Sequence, residues 1–336
     1  MTIQMFMLTM LFNYKDFMKF IALIFAFMIA TTAHAWEPTK PVMVIMNMPA
    51  GSPSDTAFRI VSSQVEKNTG VKFVVNYRLG AGGTIGNDAF SKAAPDGYTT
   101  APVPIPGLTG TDRMVNPNKS YTSADFIYIM SNASTPMSII ASAEDPVNSM
   151  QELIKVLKTE KTTMGDPGSG GRIAYELFRS AAKLEETSER IVRVEYKGPN
   201  EVVQDVMSKN LRFGVVPLAA SSQMHIAGKI KIIAVTSDSR SPTFPDVPTV
   251  SSMYPNMVYN LAWAISLPQG APPEVIEWYQ REFVKAAQNQ EVQKLLHDNF
   301  FFVDKKMLNS KDLTAKILSD EKRYTPIVDK VLEQRK

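Results

Sequence analysis

The stretch Val74-Val75-Asn76-Tyr77-Arg78-Leu79-Gly80-Ala81-Gly82-Gly83-Thr84-Ile85-Gly86-Asn87 decides how this chain is read. A β-rich run closes at Leu79, a glycine-dense loop follows, and Asn87–Ala94 is compatible with a helix. Glycine tolerates positive φ and lets backbone approach a second molecule closely. Successive N–H groups in such a loop, opening toward a helix start, make a place for an anion. A plain strand-to-helix turn reads the same way, so this loop alone leaves both readings open.

Upstream, Val42–Met48 reads as a buried strand running into Pro49-Ala50-Gly51-Ser52-Pro53-Ser54-Asp55. Ser52 is expected to cap a helix, Pro53 to take its first position, and Asp55 to favour its free N–H groups. Ala57, Phe58, Val61 and Val65 form one apolar face, and Gly70 stops the helix. Two successive β–loop–α units predict a parallel sheet, with ligands outside the carboxyl ends of its strands.

Downstream, Pro95-Asp96-Gly97 is a turn and Tyr98–Val103 a strand; residues 104–124 are irregular. Phe126–Met130 and Met137–Ser142 read as separate extended pieces. Ser149-Met150-Gln151-Glu152 is a capping box opening a helix to Lys158. A strand at Thr162–Met164 enters a second glycine-rich loop, Gly165–Arg172, before a helix carrying Ile173, Leu177, Ala181 and Leu184. The first arrangement therefore recurs. Asn200 is expected to cap the helix after strand Ile191–Glu195, and strands Leu211–Val216 and Lys231–Thr236 follow. Leu261–Leu267 is apolar and is expected to return to the first domain, and the chain turns helical from Pro272-Pro273 onward.

With 336 residues, two domains of roughly 150 each fit. A formal charge of +3 is too small to argue for nucleic acid. Cys is absent, which excludes disulfides, thiolate catalysis and Cys-based zinc sites. Phe20–Ala30 is apolar, preceded by Lys15 and Lys19, and ends in Thr31-Thr32-Ala33-His34-Ala35 before Trp36. That is the pattern of an export signal cleaved after Ala35. Met18-Lys19 would make a compact start of its own.

Outside that leader only His225 and His297 remain, in no H-x-x-x-H pair, so no metal or cofactor is expected. A hydrolase would have to combine Ser169 with one of those histidines, and Gly168-Ser169-Gly170 lacks the nucleophile elbow. Gly80, Gly82 and Gly86 fall one residue off the dinucleotide fingerprint. What remains suits holding a small anion without transforming it, with Arg172, Lys197 and Arg78 as candidate cations.

Pro49-Ala50-Gly51-x-Pro53-Ser54-Asp55, Asn76-Tyr77-Arg78-x-Gly80-Ala81-Gly82-Gly83-Thr84-Ile85-Gly86 and Pro95-Asp96-Gly97-Tyr98-Thr99 occur in a recognisable order. Ala174-x-Glu176-Leu177-Phe178, Tyr196-Lys197-Gly198, Ala227-Gly228-Lys229, Ala234-Val235-Thr236-Ser237, Pro245-Asp246-Val247-Pro248-Thr249 and Pro268-x-Gly270-x-Pro272 continue it. Over most of residues 41–300 this set resembles the tripartite tricarboxylate transporter receptors, the Bug family. The resemblance implies an α/β, two-lobed periplasmic-binding-protein fold of type II, with a ligand cleft between the lobes and a hinge of two crossing strands. It implies a signal peptide over 1–35, a discontinuous first lobe over 36–136 plus 259–336, and a second lobe over 137–258.

It also implies a periplasmic, monomeric, non-enzymatic receptor that passes a small organic carboxylate, a dicarboxylate or aromatic acid, to a tripartite membrane transporter. Service to a sensor is the alternative. Carried over, the ligand residues are Met48, Ala50, Gly51, Ser52, Ser54 and Asp55 in one loop, and Ala81, Gly82, Gly83 and Thr84 in the next. Ser169, Gly170, Gly171 and Arg172 complete them. A Cβ added at Gly82 or Gly171 is expected to meet the ligand. Met48 stands where the family has an aromatic residue, Ser52 replaces a second glycine, Gly170-Gly171-Arg172 replaces a serine-containing loop, and Leu211-Arg212-Phe213 lacks an acidic residue, so ligand identity does not carry over.

Overall fold

A computed structural model describes residues 36–105, 111–184, 189–241 and 243–333. The leader reading therefore falls outside the described residues. β1 (Val42–Met46) leads through the Pro49–Ser52 loop into α1 (Pro53–Thr69), which Gly70 ends at φ 76°. β2 (Phe73–Tyr77) is followed by a 3-10 turn at Ala81–Gly83, α2 (Thr84–Ser91) and β3 (Thr99–Pro104). The second set is β5 (Thr162–Pro167), α4 (Gly168–Ala181), β6 (Ile191–Tyr196), α5 (Pro199–Met207) and β7 (Phe213–Pro217). Before it come β4 (Phe126–Ser142) and α3 (Met150–Thr159); after it come α6 (Leu218–Ile226) and β8 (Ile230–Val235). β9 (Asn260–Pro268), α7 (Pro273–Ala287), α8 (Gln290–Asp298) and α9 (Ser310–Glu333) close the chain.

Among the described residues nine strands form one sheet in the order β2-β1-β3-β9-β4-β7-β5-β6, with β8 also paired to β4. The expected parallel pairing holds at both ends, β1 with β2 and β3, and β5 with β6 and β7. The centre is antiparallel, because β4 and β9 run opposite to each other and to their outer neighbours β7 and β3.

The two pieces read as separate over 126–142 are one long strand. Ser131-Asn132-Ala133-Ser134-Thr135-Pro136 has weak strand propensity, yet pairing with β9 carries it through, with irregular register at Tyr128/Met130 and Ser131/Ala133. β4 pairs with β9 from Phe126 to Pro136 and with β7 and β8 from Met137 onward. Two apolar clusters accompany this division. Ile45, Phe90, Val103, Phe126, Ala264 and Ile317 belong to one, and Ile140, Val202, Val216, Ile232, Phe244 and Phe300 to the other.

Four local expectations change. Ser52 does stand at the cap position of α1, but its hydroxyl pairs with the Ser54 hydroxyl at 3.2 Å and caps nothing. α5 starts from a cap at Gly198 with Pro199 first, two residues earlier than a cap at Asn200. The second glycine-rich segment is not a loop. Its first residues belong to β5, and Gly168 to Arg172 form the first turn of α4. Ser149 accepts the Glu152 N–H at 3.2 Å, while the Glu152 carboxylate takes the Asn148 N–H at 2.6 Å, one residue outside a closed capping box.

Candidate functional site

A cleft lies where the two parallel ends of the sheet face each other. Its walls come from the ends of strands: Met48 just past β1, and Pro104, Pro167 and Pro217 as the last residues of β3, β5 and β7. The starts of three helices complete it, with Ser52, Pro53 and Ser54 from α1, Gly170 and Gly171 from α4, and Pro199 from α5. None of these three helices has a side-chain cap. The first N–H groups of a helix have no partner within it and carry the positive end of its dipole. Three such ends around one cleft make a strongly anion-favouring space, and the Pro and Gly at their starts leave the donors unobstructed.

The walls touch across the cleft. A Cβ at Gly168, whose φ is 65°, would lie 2.9 Å from the Gly82 Cα and 3.0 Å from its carbonyl oxygen. Pro49 sits 3.3 Å from where a Gly198 Cβ would stand. The space left between them, partly open to solvent, is about 40 Å³, room for a few waters. In this structure the two walls are in contact at these points.

Of the residues singled out in the sequence, Met48, Ser52, Ser54, Gly82, Gly170 and Gly171 are brought together on the cleft. Ala50, Gly51 and Ala81 are solvent-exposed. Thr84 is buried and accepts the Asn116 side-chain amide at 3.3 Å. Gly83 is closed off by Asn47, whose amide nitrogen lies 3.2 Å from an added Cβ. The Ser169 side chain lies outside the described residues. Arg78 and Lys197 are exposed, and neither lines the cleft.

Asp55 does structural duty. Its carboxylate, nearly buried, accepts the Gly51 N–H at 2.9 Å, the Arg59 Nε–H at 3.0 Å and the Tyr77 hydroxyl at 3.1 Å. It ties the first cleft loop to α1 and β2. Asp55→Ala releases all three donors and is expected to lower stability by about 2 kcal/mol, charged hydrogen bonds being worth that order and Arg59 being half in water. Urea denaturation checks this, and an unmoved midpoint would show the three contacts to be energetically silent.

Arg172 does not line the cleft. Its guanidinium pairs with Glu176 at 2.6 Å, one turn along its own helix, and stands 5.8 Å from the Tyr175 ring. Glu176 also holds Arg179 at 2.8 Å. Gly171 lines the cleft by its backbone only. A Cβ there would strike the Pro167 ring at 2.5 Å and Asp166 Cβ at 3.1 Å, so its missing side chain serves packing of α4 on β5 and not ligand approach.

The apolar wall was absent from the sequence reading. Leu261 and Trp263 line the cleft from β9. Being two apart on a strand they share a face, and that periodicity was a usable signal. Asp166, beside Pro167 near the end of β5, is fully buried. Its Oδ2 accepts from Arg193 at 2.7 Å, while Oδ1 has no partner among the described residues. Burial pushes this carboxyl up to about 7, with the Arg193 guanidinium pulling the other way. His225 faces the Ile230 carbonyl at 3.3 Å and His297 lies beside Phe302.

Residues 57–332 match the family described as tripartite tricarboxylate transporter family receptor. The chain belongs to this family. Among curated relatives of this receptor, protein BugT of Bordetella pertussis is 27% identical over 267 residues, covering 76% of this chain and 78% of BugT. Among solved structures, MatC (Rpa3494) from Rhodopseudomonas palustris with bound malate superposes with a TM-score of 0.80 at 20% identity, covering 87% of this chain and all of that one. R. palustris Rpa4515 with adipate also gives 0.80, at 23% identity, covering 88% and 98%. The receptor thus has the two-lobed α/β fold of the periplasmic binding proteins. Among the described residues no helix is long and apolar enough to cross a membrane.

Proposed function

We propose that this receptor captures a small organic carboxylate outside the cytoplasm and delivers it to the membrane components of a tripartite tricarboxylate-type transporter. The observation that carries the reading is the convergence of three uncapped helix starts on one cleft. Backbone donors gathered between two walls suit carboxylate oxygens and need no fixed cation. The apolar wall of Leu261, Trp263 and Met48 suits the carbon skeleton between or beside carboxyl groups, which favours a dicarboxylate or an aromatic acid. Malate and adipate, bound by proteins of the same fold, are of that class.

The lobe division proposed is 36–136 plus 259–336 against 137–258. It is supported by the passage of β4 from β9 to β7 and β8 at Pro136/Met137. Export by cleavage after Ala35, a periplasmic location and a monomeric state complete the reading.

A thermal-shift screen of organic acids, followed by calorimetry, tests it. At least one carboxylate should bind with a micromolar Kd and raise the midpoint by several degrees when present at a hundred times that Kd. Binding of a sugar or a cation, with every carboxylate silent, rejects the reading.

A further inference from the structure

Tyr259 stands just before β9, with 1% of its surface exposed. Its phenol donates to the Gly170 carbonyl at 3.1 Å, in the first turn of α4. Its backbone is bound into the crossing of three strands. The Tyr259 N–H donates to the Thr236 carbonyl at 2.9 Å, and the Thr236 hydroxyl donates to the Tyr259 carbonyl. That hydroxyl also accepts the Met137 N–H at 2.8 Å, and the Thr236 N–H donates to the Met137 carbonyl at 2.9 Å. Met137 is where β4 leaves β9 for β7 and β8. Tyr259 therefore joins the strand crossing to the cleft through consecutive hydrogen bonds.

The first turn of α4 needs such a tie. Gly168, Gly170 and Gly171 occupy it, and glycine loses the most conformational freedom when fixed. A Cβ at Gly170 would lie 2.9 Å from the end of the Leu261 side chain and would stiffen the turn only by displacing that cleft-lining residue. A hydrogen bond to the Gly170 carbonyl fixes the peptide plane that it shares with the Gly171 N–H. We propose that Tyr259 is a positioning residue, which sets the α4 donors for the ligand and couples their order to the strand crossing. This inference rests on the proposed binding role.

Tyr259→Phe keeps the ring, its packing near Tyr324, and removes only the donor. Two measurements on the full chain decide the matter. Hydrogen exchange without any organic acid should quicken about three- to tenfold over the amides of residues 172–175, which bond back to the carbonyls of 168–171, and stay unchanged elsewhere. Calorimetry with malate, adipate or whichever acid binds the unaltered chain should show a Kd weaker by about the same factor. A ring that only fills space leaves both readouts unmoved in this variant. Unchanged exchange overturns the proposal whatever the binding result, and faster exchange with unchanged affinity overturns it too. If the unaltered chain binds no acid, the functional reading fails, while the exchange measurement still decides whether Tyr259 orders the turn.

Discussion

Gly168→Ala is expected to weaken carboxylate binding about a hundredfold while leaving both lobes folded. The φ of 65° at Gly168 makes alanine unfavourable in any state of the receptor, which costs stability but cancels from affinity. The second effect does not cancel. The new Cβ would meet Gly82 Cα, carbonyl oxygen and carbonyl carbon at 2.9, 3.0 and 3.2 Å. These are backbone atoms of the opposite wall and cannot rotate aside. The clash exists only when the walls touch, so it penalises the closed form alone, by about 3 kcal/mol at the upper end of overpacking costs. Calorimetry should report the lost affinity, and small-angle scattering should show the variant staying open in saturating ligand. Affinity equal to that of the unaltered chain would mean that binding does not require this contact.

Stability should fall as pH rises from about 4 to 7, and Asp166→Asn should remove much of that slope. Below pH 4 the Asp166 carboxyl is protonated in both folded and unfolded chains. Between 4 and 7 the folded chain keeps a proton that the unfolded chain has released, because burial raises this group to about 7. Stability is then lost with rising pH and levels off above 7. A displacement of about three pH units corresponds to at most about 4 kcal/mol. The asparagine variant keeps the shape and leaves Arg193 its second partner, Glu195, at 2.7 Å. Its stability relative to the unaltered chain should therefore rise between pH 4 and 8. Parallel pH profiles for the two proteins would place the slope elsewhere.

Much of the site was legible because strand ends and helix starts have local signatures. Pro53 with Asp55, the run Gly80 to Gly86, and the glycines before Ile173 each announced a junction, and each junction sits at the cleft or directly behind it. What local sequence could not convey was direction. Gly82 faces the cleft, yet Gly86 is glycine because its Cβ would stand 2.7 Å from Asn47, and Gly171 because of Pro167. The same residue type meets three different neighbours, and those neighbours are fixed by tertiary packing. Arg172 illustrates the point for charge: Glu176, one helical turn away, claims it before any ligand does.

The antiparallel centre of the sheet was hidden for a related reason. Strands β4 and β9 are about 120 residues apart in sequence and pair along nearly their whole shared length, a choice made by chain topology and not by the residues between Ser131 and Pro136. Leu261 and Trp263 inherit their role from that pairing. Their spacing marks a shared strand face, but only the pairing of β9 turns that face toward the cleft.

The touching of Gly82 and Gly168 has a kinetic consequence. A molecule enclosed behind that contact departs no faster than the walls separate, so its residence time measures an opening rate and not the strength of its own hydrogen bonds. Under the proposed delivery to a transporter, a membrane partner would then have only to promote opening. Variants that loosen the contact would load and unload rapidly yet hold little, and variants that tighten it would retain cargo past any useful handover.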